Sequence, residues 1–352
     1  MSWQAHWRGW SVALIDRLDV QSSSRVAAGL VTPITGSRAA ASWRWNDFYP
    51  AANLFYAKVE HALGVSFWNI EPALRVHRSE SERAAFESKW IDSNLCPNSN
   101  SIRAISFSGH GTTGIKIPFG MSSMEPSARL DAAAYLSATQ RYFEKKAAFY
   151  ICNLDCNGDI VVDSRSAEYP IKISSLQLIG KRIVFCQGIA ARENRYFCDL
   201  PLHPARGDIL VVESPEVHTD RVIHHDAWAV PMGGGRFLVG ATYDRLALEG
   251  VAEQSFERAN RFRDELMRRW ESLSEGSFLG GQHVVQEQRW AIRPASYDRH
   301  PLIGQHDSIK NVFCLNGLGS KGTLMAPRLA EILIDALDGS VIDPTLLRSR
   351  RK

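Results

Sequence analysis

Three strand-forming runs succeed one another between residues 206 and 244 with no helical stretch between them: RGDILVVES, RVIHHDAWAVPM and RFLVGATYD. Parallel neighbours need a crossover of about a dozen residues or more, so runs this close predict an antiparallel block. Gly233 to Gly235 supply its last hairpin turn. This GGG is not a phosphate loop, because no helix follows it.

The chain on either side alternates helix and strand. RWNDFYPAANLFYAKVEHALG, residues 44–64, has apolar residues at helical spacing and stops on Gly64. SESERAAFESKW predicts a weaker helix. RLDAAAYLSATQRYFEKKA predicts a strong one, with Asp131 near its start and Lys145 and Lys146 near its end, as the helix dipole favours. EQSFERANRFRDELMRRWESLS and GTLMAPRLAEILIDALDG predict two more, and the opening MSWQAHWRGW reads as a helix end stopped by Gly9. Strands are predicted at Ser11 to Ile15, in VVQEQRWAIRP and in NVFCLNG. KRIVFCQGIA is a continuous apolar run, which suits a strand buried on both faces. FYICNLDCNGDIVVDS reads as a hairpin turning at Asn157-Gly158. SFSGHGTTGIKIPFG reads as a hairpin or a bulged strand.

The expected fold is α/β, α+β overall. A nucleotide-binding, Rossmann-like domain is assembled from separated segments, with a mainly antiparallel domain inserted. The boundaries expected are 1–64, 128–200 and 288–352 for the first domain, and 65–127 and 201–287 for the second.

Composition narrows the partners. Of 352 residues 45% are hydrophobic and 22% charged, with 41 basic against 38 acidic, so no global charge draws the chain to nucleic acid or a membrane. The N-terminus has no signal-peptide core and no run reaches membrane-span length. Six scattered cysteines without a secretion signal predict reduced thiols and a cytoplasmic location. Cys152 and Cys156 have neither a second pair nor a nearby His, so no metal is expected.

Individual residues carry alternatives. VALIDRLD ends in Asp16, where the second strand of a dinucleotide-binding unit places its ribose-binding acid. The glycine-rich turn that belongs about 20 residues upstream is not in this sequence. Arg293 in AIRPAS offers a guanidinium fork for a carboxylate ligand, or one half of a structural ion pair. GLGSKG, residues 317–322, precedes the last helix, whose N-terminus favours negative charge; the alternative is a turn that only packs strand on helix. Ser22, Ser23 and Ser24 suit a phosphate or a helix cap. Tyr243 is a pocket wall or a packing residue. His224 and His225, adjacent in a strand, point to opposite faces and cannot share a metal. His110 reads as structural.

Taken together, several stretches resemble the D-amino acid oxidase/glycine oxidase family of FAD-dependent oxidoreductases. They are VALIDRLD, SSSRVAAGLVTP, IVFCQGIAA, LPLHPARGDIL, IRPASYDRHPLIG and NVFCLNGLGSKGTLMAPRLAEIL, in family order along nearly the whole chain. The resemblance implies FAD as cofactor, with contacts from Asp16, Arg17, Ser23, Ser24, Ala28, Gly29, Gly188, Gly317, Gly319, Ser320, Lys321, Gly322 and Thr323. It implies catalytic roles for Arg293, which anchors a substrate carboxylate, and for Lys321 and Tyr243. Hydride passes from the amine-bearing carbon to the flavin, and the imine hydrolyses to an oxo acid. The amine must be neutral, so the rate rises with pH through its pKa. WAIRPASY has no Cys, so FAD is expected to be non-covalent.

The family's first strand and Gly-x-Gly-x-x-Gly turn have no counterpart, and SWQAHWRGWSV matches the end of the helix after that turn. The expectation is a chain that starts late, folds poorly and retains flavin weakly. The expected partners are a small amine or amino acid and oxygen or another electron acceptor. Two other outcomes stay open: a flavin domain acting on an amine carried by transfer RNA, and a remnant that no longer binds FAD.

Overall fold

The computed structural model describes residues 1–36, 39–92, 114–163, 168, 170–245, 256–274 and 282–342. At its centre is an eight-stranded sheet built from four separated segments of the chain. Ala205–Glu213 pairs antiparallel with Arg236–Gly240, Val284–Arg293 and the short Asp244–Arg245. Arg236–Gly240 pairs with Trp228–Gly233, which pairs with Ile223–His224. Ile223–His224 then lies parallel to Ala73–Val76, and Met121–Met124 closes the edge.

The antiparallel block forms, with one correction. RVIHHDAWAVPM is two strands, because His225 N donates to Ala227 O at 2.8 Å and closes a tight turn. His224 therefore ends a strand and His225 lies in the turn, so the two do not flank one strand.

The two faces of the sheet are packed differently. Leu210, Val212, Ile223 and Val239 pack against Leu266, Met267 and Trp270 of helix Phe256–Glu271. The opposite face carries Ile209, Val211, Val230 and Leu238 into a core shared with helices Trp45–Leu63 and Gly322–Leu337. Those two helices are tied by Tyr56 Oη donating to Thr323 O at 3.0 Å and by Arg328 on Asp47 at 3.1 Å. Register aligns Ile209, Gly240, Trp228, His224 and Arg75 in one row across this second face. Directly paired residues share a face.

The other parallel pairs lie in two separate sheets. Leu14–Asp16 pairs with Phe149–Ile151, and Ile183–Phe185 pairs with Val312–Asn316, which also takes Leu302–Gln305 antiparallel. Two expectations are corrected here. Phe149–Ile151 and Ile160–Val162 are not a hairpin, since the first joins Leu14–Asp16 and the second joins Ile171–Ile173. Asn157 instead bonds across to Glu193 O and Arg195 N, and Asp155 and Asp159 bond the loop's backbone, which holds a connection between sheets. The run at 181–190 yields only Ile183–Phe185, an edge strand with Ile183 and Val184 part-exposed. Val312–Asn316 is the fully buried centre. The stretch at 106–113, with His110, lies outside the described residues.

A small sheet of Leu30–Val31, Ala128–Leu130 and Trp68–Ile70 leans on the second face. Its entry demands glycine. Gly29 has φ +71°, and a Cβ there would meet Leu130 O at 1.9 Å. Gly29→Ala is expected to destabilise the fold by about 2 kcal/mol or more, through backbone strain and overpacking together. Thermal or urea melts check this, and an unchanged midpoint would show that the approach to Leu130 is not constraining.

Candidate active site

Arg293 ends the longest strand of the large sheet, opposite Ala205. Its guanidinium lies flat over Gly207, where a Cβ would come within 2.1 Å of it. Nη1 donates to Thr242 O at 3.1 Å and Arg206 O at 3.4 Å, and the Tyr243 ring lies 5.5 Å away. The nearby carboxylate of Asp208 is engaged elsewhere. Arg206 holds it through two bonds of 2.9 and 2.8 Å, stacked on Trp290 toward helix Phe256–Glu271. Among the described residues Arg293 makes no ion pair, so the structural-pair alternative finds no partner there. Burial lowers its pKa, against the opposing pull of Tyr243 and Asp208. A desolvated, unpaired guanidinium fork is a strong recognition element for a carboxylate.

The segment after Arg293 packs on two glycine turns. Gly319 N donates to Pro294 O at 3.2 Å, and Ala295 bridges Leu318. Asn316 Nδ2 donates to Gly188 O at 2.8 Å, and a Cβ on Gly188 would meet Pro294 Cγ at 3.6 Å. Gly188, Gly317 and Gly319 have φ of +58°, +73° and +54°, a backbone that favours glycine. Gly188, Arg293, Tyr243, Gly317 and Gly319 are thus one neighbourhood.

Lys321 stands at the N-cap of helix Gly322–Leu337, whose first amides, Gly322 and Thr323, have no intrahelical acceptor. Its Nζ donates to Ser42 Oγ at 3.3 Å, and Ser42 Oγ donates to Thr32 O at 2.7 Å. The side chain is part-open to solvent yet walled by protein, and this burial lowers its pKa from 10.5 to about 8. His224 faces the same charge from the sheet. Its Nε2 is sealed from solvent with no hydrogen-bond partner among the described residues, and burial, then Arg75 and Lys321, lower its pKa to about 3. His224 is therefore neutral at working pH. The sequence weighed it only as a metal ligand; the pairing with Arg75 that aims it at Lys321 has no local signal.

The remaining predicted residues are more dispersed. Asp16 sits exposed at its strand end, with Oδ1 accepting from Leu18 N at 2.6 Å, and Arg17 pairs with Asp19 at 2.7 Å. Ser23 and Ser24 open a single helical turn with Ser22 at its N-cap. Ala28 is buried core, and packing against Leu130 accounts for Gly29. Ser320 is exposed in its turn, and Thr323 contributes the carbonyl bonded by Tyr56.

The family model described as DAO, FAD dependent oxidoreductase, matches residues 2–336. The chain belongs to this family of FAD-dependent oxidoreductases, whose cofactor is FAD. A glycine oxidase of Bacillus licheniformis is 27% identical over 152 residues, covering 41% of this chain and 37% of that protein. The tRNA 5-methylaminomethyl-2-thiouridine biosynthesis bifunctional protein MnmC of Maricaulis maris is 33% identical over 174 residues, 48% of this chain and 26% of that protein. The chain thus matches well under half the length of either relative. Iminodiacetate oxidase from Chelativorans sp. BNC1 shares the fold, with a TM-score of 0.73 at 18% identity over 99% of this chain and 95% of that one.

The site's own chemistry fits the reducible end of FAD. A walled ammonium that has no carboxylate partner among the described residues, two helix N-terminal amides without intrahelical acceptors and a glycine-rich turn all favour a flat group that gains negative charge. Lys321→Met tests the cost of that arrangement in flavin-free protein. Because the folded-state pKa is lowered, the unfolded chain holds more protons between pH 8 and 10.5. Stability linked to Lys321 therefore rises with pH through that window. The variant should melt higher than the parent at pH 7, with the gap shrinking toward pH 10. A variant that melts lower at pH 7 would contradict it.

Proposed function

We propose that the chain oxidises the C–N bond of a small amino acid or related amine, with FAD held non-covalently between the large sheet and the start of helix Gly322–Leu337. The observation that carries this reading is Arg293, a part-buried guanidinium fixed by two backbone carbonyls and free of ion pairs among the described residues. Bound in this site, FAD supplies the two-electron acceptor. Arg293 fixes the substrate carboxylate, and Tyr243 walls the pocket beside it. Lys321, Gly322 and Thr323 stabilise the charge that reduction adds. Asp16, Arg17, Ser23, Ser24, Ala28, Gly29, Gly188, Gly317, Gly319 and Ser320 line the path for the rest of the cofactor. Position and electrostatics are what the chain contributes; the lost hydride leaves an imine that water converts to an oxo acid. Oxygen or another acceptor then takes the electrons.

The same reading assigns the large sheet to a substrate domain and the parallel pieces to the cofactor domain. Among the described residues no helix is long and apolar enough to cross a membrane, and a cytoplasmic setting suits the free thiols of Cys152, Cys156, Cys186, Cys198 and Cys314.

A second reading rests on the match to MnmC of Maricaulis maris, named for tRNA modification. In it the amine is carried on RNA, and salt-dependent retention of the protein on tRNA distinguishes the two.

Anaerobic mixing of the FAD-loaded protein with a panel of primary and secondary amino acids tests the first reading. Bleaching of the flavin band by at least one of them is expected, faster at higher pH as the bound amine loses its proton. Arg293→Met should lower the second-order rate of bleaching by about 100-fold or more, the worth of a charge-assisted, two-point contact, while FAD stays bound. Equal rates in parent and variant would remove Arg293 from the carboxylate role.

A further inference from the structure

Only one nitrogen of the Arg293 guanidinium is held by the protein. Nη1 donates to Thr242 O at 3.1 Å and to Arg206 O at 3.4 Å, and among the described residues Nε and Nη2 make no hydrogen bond. An arginine side chain has ample rotamer freedom, so a single orientation needs something that fixes it. Here the two carbonyls fix it, and their residues share an anchor. Arg206 and Thr242 both hold the carboxylate of Asp208 on the opposite face of the sheet.

Thr242 is tied to Asp208 at three points. Asp208 N donates to Thr242 Oγ1 at 2.8 Å, Thr242 Oγ1 donates to Asp208 Oδ2 at 3.3 Å, and Thr242 N donates to Asp208 O at 3.2 Å. Gln288 Nε2 adds a bond of 3.0 Å to Asp208 Oδ1 and another to Ala259 O, which ties the group to helix Phe256–Glu271. Arg206, Asp208 and Thr242 are all buried. Residues 241–243 lie between strands Arg236–Gly240 and Asp244–Arg245, so no strand ladder aims the Thr242 carbonyl. Two of the three ties run through the Thr242 hydroxyl.

We propose that Thr242 is a positioning residue for Arg293, which rests on the carboxylate role proposed for Arg293 above. The hydroxyl touches no ligand and acts through one carbonyl. With it in place, Nη1 is pinned and Nε and Nη2 stay aimed as a ready fork. Without it, Asp208 N loses its acceptor and the 241–243 segment loses two of its three ties. Arg293 must then be ordered each time a ligand binds, which lowers affinity rather than abolishing it.

Calorimetric titration with propanoate, a carboxylate with no C–N bond to oxidise, tests this in protein saturated with FAD. The parent is expected to bind it and Arg293→Met to lose it. Thr242→Val keeps the shape without the hydroxyl and should bind about tenfold more weakly. Thr242→Ser keeps the hydroxyl and should stay within about threefold of the parent. FAD affinity should be equal in parent and Thr242 variants, which a general loss of structure would not give. The same rank order is expected without FAD, because Arg293, Thr242 and Asp208 all belong to the large sheet. In the anaerobic bleaching assay Thr242→Val should slow the parent by about tenfold but Arg293→Met by less than about twofold, since the hydroxyl acts only through Arg293. Propanoate binding lost in Arg293→Met yet unchanged in Thr242→Val, an equal loss in Thr242→Ser and Thr242→Val, or equal slowing in both backgrounds would overturn the positioning role and leave the carboxylate role standing. A parent that binds no propanoate, or binding unchanged in Arg293→Met, would overturn both. Thr242→Ala carries the same expectation should Thr242→Val fail to fold.

Discussion

The guanidinium of Arg293 lying on the bare backbone of Gly207 organises the centre of this molecule. A side chain at 207 would lift the guanidinium off the sheet, and a carboxylate beside it would neutralise it. Neither occurs: position 207 is glycine, and Asp208 is turned to the other face and clamped by Arg206. The cation is thus presented flat, desolvated and oriented by Thr242 O and Arg206 O. The same device recurs on the neighbouring strand, where Gly240 leaves room for the Trp228 ring, which a Cβ would approach to 2.5 Å. Two glycines inside strands usually weaken a sheet. Here they let large side chains lie along the face that looks at the final helix.

Across from that face the chain places a second charge in a demanding position. Among the described residues Lys321 has a single hydroxyl partner, and His224, which feels its charge from the sheet, is held neutral. Keeping an ammonium there works against stability at neutral pH, and such local costs are typical of sites arranged for a ligand rather than for packing. The helix that Lys321 caps is anchored in its first turn by Tyr56 on Thr323 O, further along by Asp47 on Arg328, and along its length by buried leucines.

The sequence made some of this legible and hid the rest for identifiable reasons. The antiparallel block and the final strand, glycine turn and helix follow from local signals: period, turn glycines and helix stops. The corrected elements failed where partner choice is non-local. Phe149–Ile151 reads as half of a hairpin because Asn157-Gly158 is a strong turn signal, yet its partner is Leu14–Asp16, more than a hundred residues away. His225 leaves the strand because one backbone bond to Ala227 closes the turn. Arg293 and Lys321 stood out as residue types at motif positions. His224 and Ser42 did not, because their environments are made by segments brought together from distant parts of the chain.

Everything proposed for Arg293 and Lys321 depends on the walled face between them holding FAD. Titration of the purified protein with FAD, followed by gel filtration and an absorption spectrum of the protein peak, asks that question without any substrate. A saturable, one-to-one flavin band that stays with the folded protein is expected. Folded protein that emerges colourless at saturating FAD would contradict it.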